Sequence, residues 1–373
     1  MRRALALASR GYGTTSPNPM VGAVIVRAGK CLGEGWHQRA GEPHAEVNAI
    51  RDAVRQGYST HGAALYVTLE PCCTHGRTPP CTEAIVRAGI VRVVVSTKDP
   101  NPAHIGRGFK VLRRAGIQVE SGILSGESSR LNESFNHWIA HQTPFVTVKS
   151  AMTLDGKIAT AAGESKWITG VKARAHGMHL RRGADAILVG INTVIADNPS
   201  LTLRGRSAAG ATRQQPRRII LDSMARTPLK SKVANDDDAA RTTVIVSKDA
   251  PLQRVVALDR KVNVIVAPAR QGRLDLGWLL RRLGAENVVN LLVEGGGEIN
   301  ASFLLGGFAH RIAFFYAPKI LGGRNSRKAV AGQGMPSLKE SVLLADVEFG
   351  QLGSDFLITA KVESDALMQF SQT

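Results

Sequence analysis

The chain has 373 residues, with 48 Lys and Arg against 30 Asp and Glu, a formal net charge of +18 and a pI near 10.3. Hydrophobic residues at 43% and charged ones at 21% exclude extensive disorder, and the length points to two domains that each bury a core. A surface this basic attracts anions, nucleic acid or phosphorylated small molecules, and the dispersal of basic residues in pairs such as Arg113-Arg114, Arg181-Arg182 and Arg217-Arg218 argues against a dedicated nucleic-acid arm.

In chain order, Met1-Arg2-Arg3 followed by Ala4-Leu5-Ala6-Leu7-Ala8 imitates a secretory signal, but its apolar stretch is too short, so an amphipathic first helix is expected. Residues 20–26 read as a strand returning through 31–36, 44–54 as a helix, and 64–70 as a buried strand stopped by Pro71. A helix over 81–88, a strand over 91–97, a helix over 107–114, a strand over 117–120 and a closing helix over 127–140 complete an alternating α/β pattern. The polar link His141-Gln142-Thr143-Pro144 places a boundary that gives domains 1–142 and 143–373. The second half alternates again: strands at 145–150, 186–190, 218–222, 243–247, 262–267, 288–294 and 312–318, and helices at 171–182, 276–283 and 298–305. Stretches 205–215 and 231–240 read as surface loops. No apolar run approaches the roughly 20 residues that span a bilayer, so a cytoplasmic protein is expected.

Of four cysteines, Cys72, Cys73 and Cys81 crowd beside His75, which suits metal ligation better than a disulfide framework in a chain this large. His44-Ala45-Glu46 followed by Pro71-Cys72 supplies an imidazole, a thiolate and a carboxylate two residues from the imidazole. His-x-Glu with Pro-Cys-x-x-Cys is the signature of zinc nucleobase deaminases, in which three protein ligands leave a position for water and the Glu shuttles protons. The second thiolate departs from that signature, because Cys81 lies well beyond the expected spacing and His75 stands where the shorter spacing would place a ligand. Spacing alone leaves both pairings open. Cys73 reads as a bystander, and Cys31, in a strand-like run, as a buried free thiol.

Gly76-Arg77-Thr78-Pro79-Pro80-Cys81 resembles the bifunctional deaminase/reductases of riboflavin biosynthesis, whose terminal Cys in this motif is a ligand. That resemblance implies a zinc site of His44, Cys72 and Cys81 with Glu46 as proton shuttle. It extends to Thr15-Ser16-Pro17-Asn18-Pro19-Met20-Val21-Gly22, where Asn18 is expected to contact the pyrimidine, and to Asp99-Pro100-Asn101-Pro102, where Asp99 and Asn101 help hold the ribosyl-phosphate side. It continues through Lys149-Ser150-Ala151-Met152-Thr153-Leu154-Asp155-Gly156-Lys157 and Gly163-Glu164-Ser165-Lys166-Trp167-Ile168-Thr169, which look like the reductase half.

The fold so implied is an α/β chain: an N-terminal cytidine-deaminase-like three-layer α/β/α domain, then an α/β domain similar to dihydrofolate reductase. Val293-Glu294-Gly295-Gly296-Gly297-Glu298 lacks the Gly-x-Gly-x-x-Gly spacing, yet a strand running into glycines and a helix lets backbone N–H groups approach phosphates. By resemblance Gly296, Gly297, Glu298, Ile299, Asn300, Ala301 and Ser302 line the NADPH site, with Ala151, Trp167, Thr193, Asp197 and Ser223 on the same side. Substrate contacts carry over to Ser165, Arg181, Leu201, Arg204 and Glu294, the two arginines forming a fork for a ribose phosphate. Lys149 is a candidate for proton delivery or for pairing with a carboxylate. The implied partners are a phosphoribosylaminopyrimidine, one Zn2+ and NADPH, with no nucleic acid, no membrane, and a homodimer through the reductase domain. Two other readings stay open here: a nucleic-acid base deaminase with a non-catalytic C-terminal domain, and a zinc-stabilised scaffold, against which the retained Glu46 argues.

Overall fold

The computed structural model describes residues 1–76, 79–204, 215–270 and 272–363. Arg77 and Thr78 of the glycine-arginine-threonine motif, the loop expected at 205–215 except its last residue, and the tail beyond 363 lie outside the described residues. The chain divides into two compact units, Met1–Gln142 and Thr143–Thr373.

The first unit runs α1 (Arg2–Ala8), β1 (Gly22–Arg27), β2 (Lys30–Trp36), α2 (Ala45–Arg55), β3 (Ala64–Leu69) and α3 (Cys81–Arg87). It continues through β4 (Arg92–Thr97), α4 (Arg107–Arg114), β5 (Gln118–Ser121), α5 (Ser125–Leu131) and α6 (Glu133–His141). Its sheet has the order β2-β1-β3-β4-β5, with β1 antiparallel to both neighbours and β3, β4 and β5 parallel. The alternation of β1 explains the layers. Ala23 and Ile25 join the core under α2, with Ala45, Ala49, Ala53, Ile85 and Leu112, while Val24 turns to the other face and packs on Ala4 and Leu7 of α1. Helices therefore cover both faces of the sheet.

The helix expected over 127–140 is interrupted at Asn132. Its amide accepts the N–H of Met20 at 2.8 Å and donates to the carbonyl of Met20 at 2.9 Å, a tertiary bond that separates α5 from α6. The expected burial of Cys31 is also corrected: it is exposed near the start of β2, an edge strand.

The second unit runs β6 (Phe145–Thr153), β7 (Lys157–Ala159), α7 (Val171–Gly183), β8 (Ala186–Gly190), α8 (Ile191–Asp197), β9 (Arg217–Leu221) and α9 (Lys232–Asn235). Then come β10 (Thr242–Ser247), α10 (Leu252–Asp259), β11 (Asn263–Ala267), β12 (Ala269–Arg270), β13 (Arg273–Leu274) and α11 (Leu276–Ala285). β14 (Asn290–Val293), α12 (Gly297–Leu304), β15 (Arg311–Ala317), β16 (Arg327–Lys328), β17 (Leu344–Leu352) and β18 (Asp355–Val362) complete it.

Among the described residues the main sheet has nine strands in the order β11-β10-β9-β8-β14-β6-β15-β18-β17. β11 through β15 are mutually parallel, and the β17–β18 hairpin closes one edge antiparallel. The region expected as a loop over 231–240 contains α9, because Val233 and Ala234 are buried in the core formed with Ile220, Val244 and Leu258. Helices α8 and α10 and the β17–β18 hairpin were not anticipated either.

One feature of this sheet has no hydrophobic logic. Arg218, on β9, is fully buried and forms a bidentate pair with Asp236 at 2.7 and 2.8 Å, while also donating to Thr242 Oγ1 and to the carbonyls of Ser200 and Val233. The network pins the chain on either side of β9 to its first residues. Removing one partner of such a pair leaves the other uncompensated, so Arg218→Ala is expected to lower the stability of this unit by about 3–5 kcal/mol. Arg217→Ala, which loses only a half-exposed pair with Glu286, is expected to lose about 1 kcal/mol or less. Urea midpoints of the two variants check the contrast, and equal midpoints would refute it.

Candidate active site

In the first unit three helix and strand ends converge. His44 is the N-cap of α2, Cys81 opens α3, and Cys72 follows β3 by a short turn. Nδ1 of His44 lies 3.2 Å from Sγ of Cys81 and 3.6 Å from Sγ of Cys72, and the ligand atoms of all three are within 4.8 Å of one another. His75 is exposed and is outside this group, so among the described residues it is Cys81 that the fold brings to His44 and Cys72. Cys73 also stays outside it.

The hydrogen bond from Cys81 holds the Cys72 thiol down at about 4, assisted by His44, and the same contact pushes Cys81 up. The bond to Cys72 raises His44. Two sulfurs and one imidazole nitrogen form a borderline-soft donor set that fits Zn2+ and leaves a tetrahedral position for a reacting water. Glu46, only 3% exposed, stands in the first turn of α2 beside Cys81, and burial, then the Cys72 charge, pushes its carboxyl to about 7. A carboxyl poised there exchanges protons in either direction at physiological pH.

The surroundings of the trio include two residues that the sequence reading passed over. His37 is buried. Its Nδ1 meets the carbonyl of Pro43 at 3.3 Å and its Nε2 meets Nδ2 of Asn18 at 3.1 Å, while burial lowers its pKa. A neutral ring that donates from Nδ1 accepts at Nε2, which fixes the Asn18 amide with its oxygen turned away from the ring. Glu70 lies two residues before Cys72, its carboxylate filled by backbone N–H groups of residues 99–109. Asp99 is half-buried and raised chiefly by burial, with Glu70 and Cys72 among the charges it feels, so its loop borders the trio. Neither His37 nor Glu70 stands in a motif whose spacing announces a role.

In the second unit the expected residues gather at the carboxyl ends of adjacent parallel strands: Ala151 on β6, Thr193 after β8, Ser223 after β9 and Glu294 after β14. Open α/β sheets bind ligands there. Gly296 caps α12, and a Cβ at this position would meet only Thr193 Oγ1, at 3.9 Å, which leaves an open cradle fitting a dinucleotide's phosphate. Gly295 and Gly297 are required by packing as well. A side chain on Gly295 would collide with Ile299, and one on Gly297 with the carbonyl of Lys328.

The later positions of that run sit deeper than a phosphate loop requires. Asn300 is fully buried, donating to the carbonyl of Ala329 at 2.8 Å, and Ala301 is buried beside it. The Ser302 hydroxyl returns to the carbonyl of Glu298, whose own carboxylate accepts the N–H of Gly332. Trp167 is 63% exposed with Arg174 stacked over it at 4.6 Å, and Ser165 donates to Asp197 at 2.8 Å.

The two arginines of the expected fork differ in their surroundings. Nε and one terminal nitrogen of Arg181 bind both oxygens of Glu294 at 2.8 Å, and the other reaches the carbonyl of Thr202 at 3.2 Å. Arg204 alone of the two arginines is exposed. Leu201, at φ +52°, turns its side chain into the core, leaving its backbone as the part that can face a ligand. Lys149 is near enough to lower Glu294 and lies 5.8 Å from the Phe315 ring centre, which favours the carboxylate-pairing alternative.

Residues 144–358 match the family described as RibD C-terminal domain, and residues 1–97 match the cytidine and deoxycytidylate deaminase zinc-binding region. The chain is 43% identical to riboflavin biosynthesis protein RibD of Actinobacillus pleuropneumoniae over 96% of its length and 93% of that protein. It is 40% identical to the Escherichia coli K12 protein over 95% and 96%. The chain belongs to the RibD family.

Two solved structures each align over 97% of both chains. Acinetobacter baumannii RibD, form 1, has a TM-score of 0.85 at 35% identity, and a Thermotoga maritima diaminohydroxyphosphoribosylaminopyrimidine deaminase/5-amino-6-(5-phosphoribosylamino)uracil reductase has 0.82 at 37%. This RibD-family chain is a bifunctional enzyme of riboflavin biosynthesis, a zinc-dependent deaminase joined to an NADPH-dependent reductase. Its C-terminal half thus has a reductive role that the nucleic-acid deaminase and scaffold readings do not supply. The first domain is cytidine-deaminase-like and the second dihydrofolate-reductase-like.

Cys81→Ser should sharply reduce the zinc retained per RibD-family chain, measured by elemental analysis after dialysis, while His75→Ala keeps it; the reverse result would restore His75 as the ligand. Glu294 is held at about 2 against 4.5 for an ordinary glutamate: burial raises it, and Arg181 and Lys149 together outweigh the burial. Its contribution to stability is therefore complete above about pH 4.5 and lost as pH falls toward 2. Glu294→Gln should flatten that part of the acid-unfolding profile, and an unaltered profile would disprove the linkage.

Proposed function

We propose that residues 1–142 hydrolytically deaminate 2,5-diamino-6-(5-phosphoribosylamino)pyrimidin-4(3H)-one. Residues 143–373 then reduce the ribosyl side chain, giving 5-amino-6-(5-phosphoribitylamino)uracil. The observation that carries the first step is a buried carboxyl, Glu46, beside one imidazole and two thiols clustered within 4.8 Å.

His44, Cys72 and Cys81 would hold the zinc and Gly296, Thr193, Ser223 and Trp167 the NADPH. When bound, zinc supplies Lewis acidity that makes water acidic near neutral pH, and NADPH supplies the hydride. Glu46 takes the proton of the attacking water and delivers it to the exocyclic nitrogen, which leaves as ammonia. Asn18, oriented by His37, presents its amide oxygen to the pyrimidine. Asp99 and Asn101 contact the ribosyl-phosphate side. In the reductase, Arg181 holds Glu294 in one orientation as an acceptor for substrate hydroxyls, and exposed Arg204 is the phosphate donor.

A second copy of the chain is the partner that the exposed edge of the reductase sheet favours. β17 is the terminal strand, and Val347, Phe349 and Phe356 on the hairpin are 44%, 79% and 47% exposed. An unpaired edge with apolar side chains pairs readily with another edge. No helix among the described residues is long and apolar enough to cross a membrane. The unpaired thiols of the trio suit a reducing cytoplasm, and the phosphorylated substrate suits the dispersed basic surface without nucleic acid.

The test follows ammonia release from zinc-loaded protein without NADPH, then loss of NADPH absorbance once the cofactor is added. Ammonia followed by NADPH consumption is expected; no ammonia would overturn the deaminase assignment, and no NADPH loss the reductase assignment. Glu46→Gln should keep zinc and lose deamination by about 10²-fold or more. Unchanged turnover in that variant would remove Glu46 from the chemistry.

A further inference from the structure

Glu70 ends the segment that leads into Pro71 and Cys72, and it is 5% exposed. Its carboxylate meets four backbone donors. One oxygen accepts the N–H of Asp99 at 3.2 Å and of Gly106 at 3.0 Å, and the other accepts Gly108 at 2.9 Å and Phe109 at 3.4 Å. A carboxylate offers about four lone-pair directions, and here each is met by an N–H. The first two donors are the opposite ends of the 99–106 loop, and the last two belong to the first turn of α4. The backbone of Glu70 is tied to the same place, because its own N–H reaches the carbonyl of Thr97 at 2.9 Å.

The contact is close by necessity. A Cβ at Gly108 would collide with the carbonyl of Pro71, so α4 rests directly on the residue preceding Cys72. Within the loop the bracing is local: Asp99 accepts the N–H of Asn101 at 2.9 Å, and Asn101 accepts that of Ala103 at 3.0 Å. Such turns set the shape of the loop but not its place relative to the trio. Among the described residues, the side chain whose bonds join both ends of this loop to the Cys72 segment is Glu70.

We infer that Glu70 is a positioning residue that fixes Asp99 and Asn101 at a set distance from Cys72 and so governs how tightly the deaminase holds the ribosyl-phosphate side of its substrate. This inference rests on the proposed assignment of Asp99 and Asn101 to substrate. Glu70 touches no reacting atom, because its oxygens are filled by the backbone. Its loss should loosen the loop and leave Glu46 and the trio in place.

The test compares Glu70→Gln, Glu70→Asp and Glu70→Ala in the full zinc-loaded chain. Glu70→Gln replaces one acceptor oxygen by a donor facing backbone N–H groups, so the KM for the diaminopyrimidine substrate should rise about tenfold with kcat nearly unchanged, and more in Glu70→Ala. Zinc content should stay at the wild-type level, reduction of the deaminated intermediate should be unaffected, and amide exchange over 99–109 should accelerate without substrate. Glu70→Asp should fall between wild type and Glu70→Ala, and together with Glu70→Gln it carries the test if Glu70→Ala does not accumulate. An unchanged KM, a fall in kcat alone, or zinc lost in proportion to activity would overturn the role. A wild-type chain that releases no ammonia is a different failure, overturning the substrate assignment and this role with it.

Discussion

The deaminase site depends on how closely α2 approaches β2. Gly33 and Gly35 on the strand face Ala45, Ala49 and Ala53 on the helix, all three fully buried, and a Cβ on either glycine would fall inside the helix backbone. Two surfaces without bulk lie nearer than a usual helix and sheet, and the spacing of the layers follows from that contact. His44 and Glu46 are at the first turn of the same helix, so their positions are inherited from it. A larger residue at either glycine would push the helix outward, at an overpacking cost of about 1–3 kcal/mol. His44 would then move away from Cys72 and Cys81, which are carried by β3 and α3.

The reductase unit uses the same device for a different end. Ile299 on α12 lies against Gly295 and Gly190, where side chains would collide with it, and Gly297 lets the 328–331 segment cross the start of that helix. Two of the three consecutive glycines are therefore explained by packing, and Gly296 remains open toward Thr193. The residues proposed for NADPH stand at or after strand ends held in register by the parallel sheet. Their distinctive polar pieces come from helices and loops that follow those strands.

Buried ionic groups anchor loops in both units. Glu70 holds 99–109, Arg218 with Asp236 holds Ser200 and Val233, and Arg181 with Glu294 holds Thr202. Loop backbone lacks the ladder bonds of a strand, and its N–H and carbonyl groups need other partners when they are buried. A charged side chain placed among several of them meets that need and is itself compensated for desolvation. Two of the segments so anchored, 99–109 and 200–202, include residues proposed to contact substrate, which links the stability of the scaffold to the accuracy of the site.

The amino-acid sequence alone determined the alternating α/β architecture and most of its strands, because apolar runs bounded by glycine and proline report local burial directly. It also offered His44, Glu46 and Cys72 as a candidate set, since zinc-dependent deamination needs an imidazole, a thiolate and a proton-carrying carboxyl. Tertiary structure brought Cys81 rather than His75 beside His44 and Cys72, exposed Cys31, broke the 127–140 helix at Asn132, and paired Arg181 with Glu294 across 113 residues of chain. Glu70 and His37 belong to the same class. Each gains its role from backbone groups or side chains distant in sequence, and such contacts leave no periodicity to read, because they form only after the layers have packed.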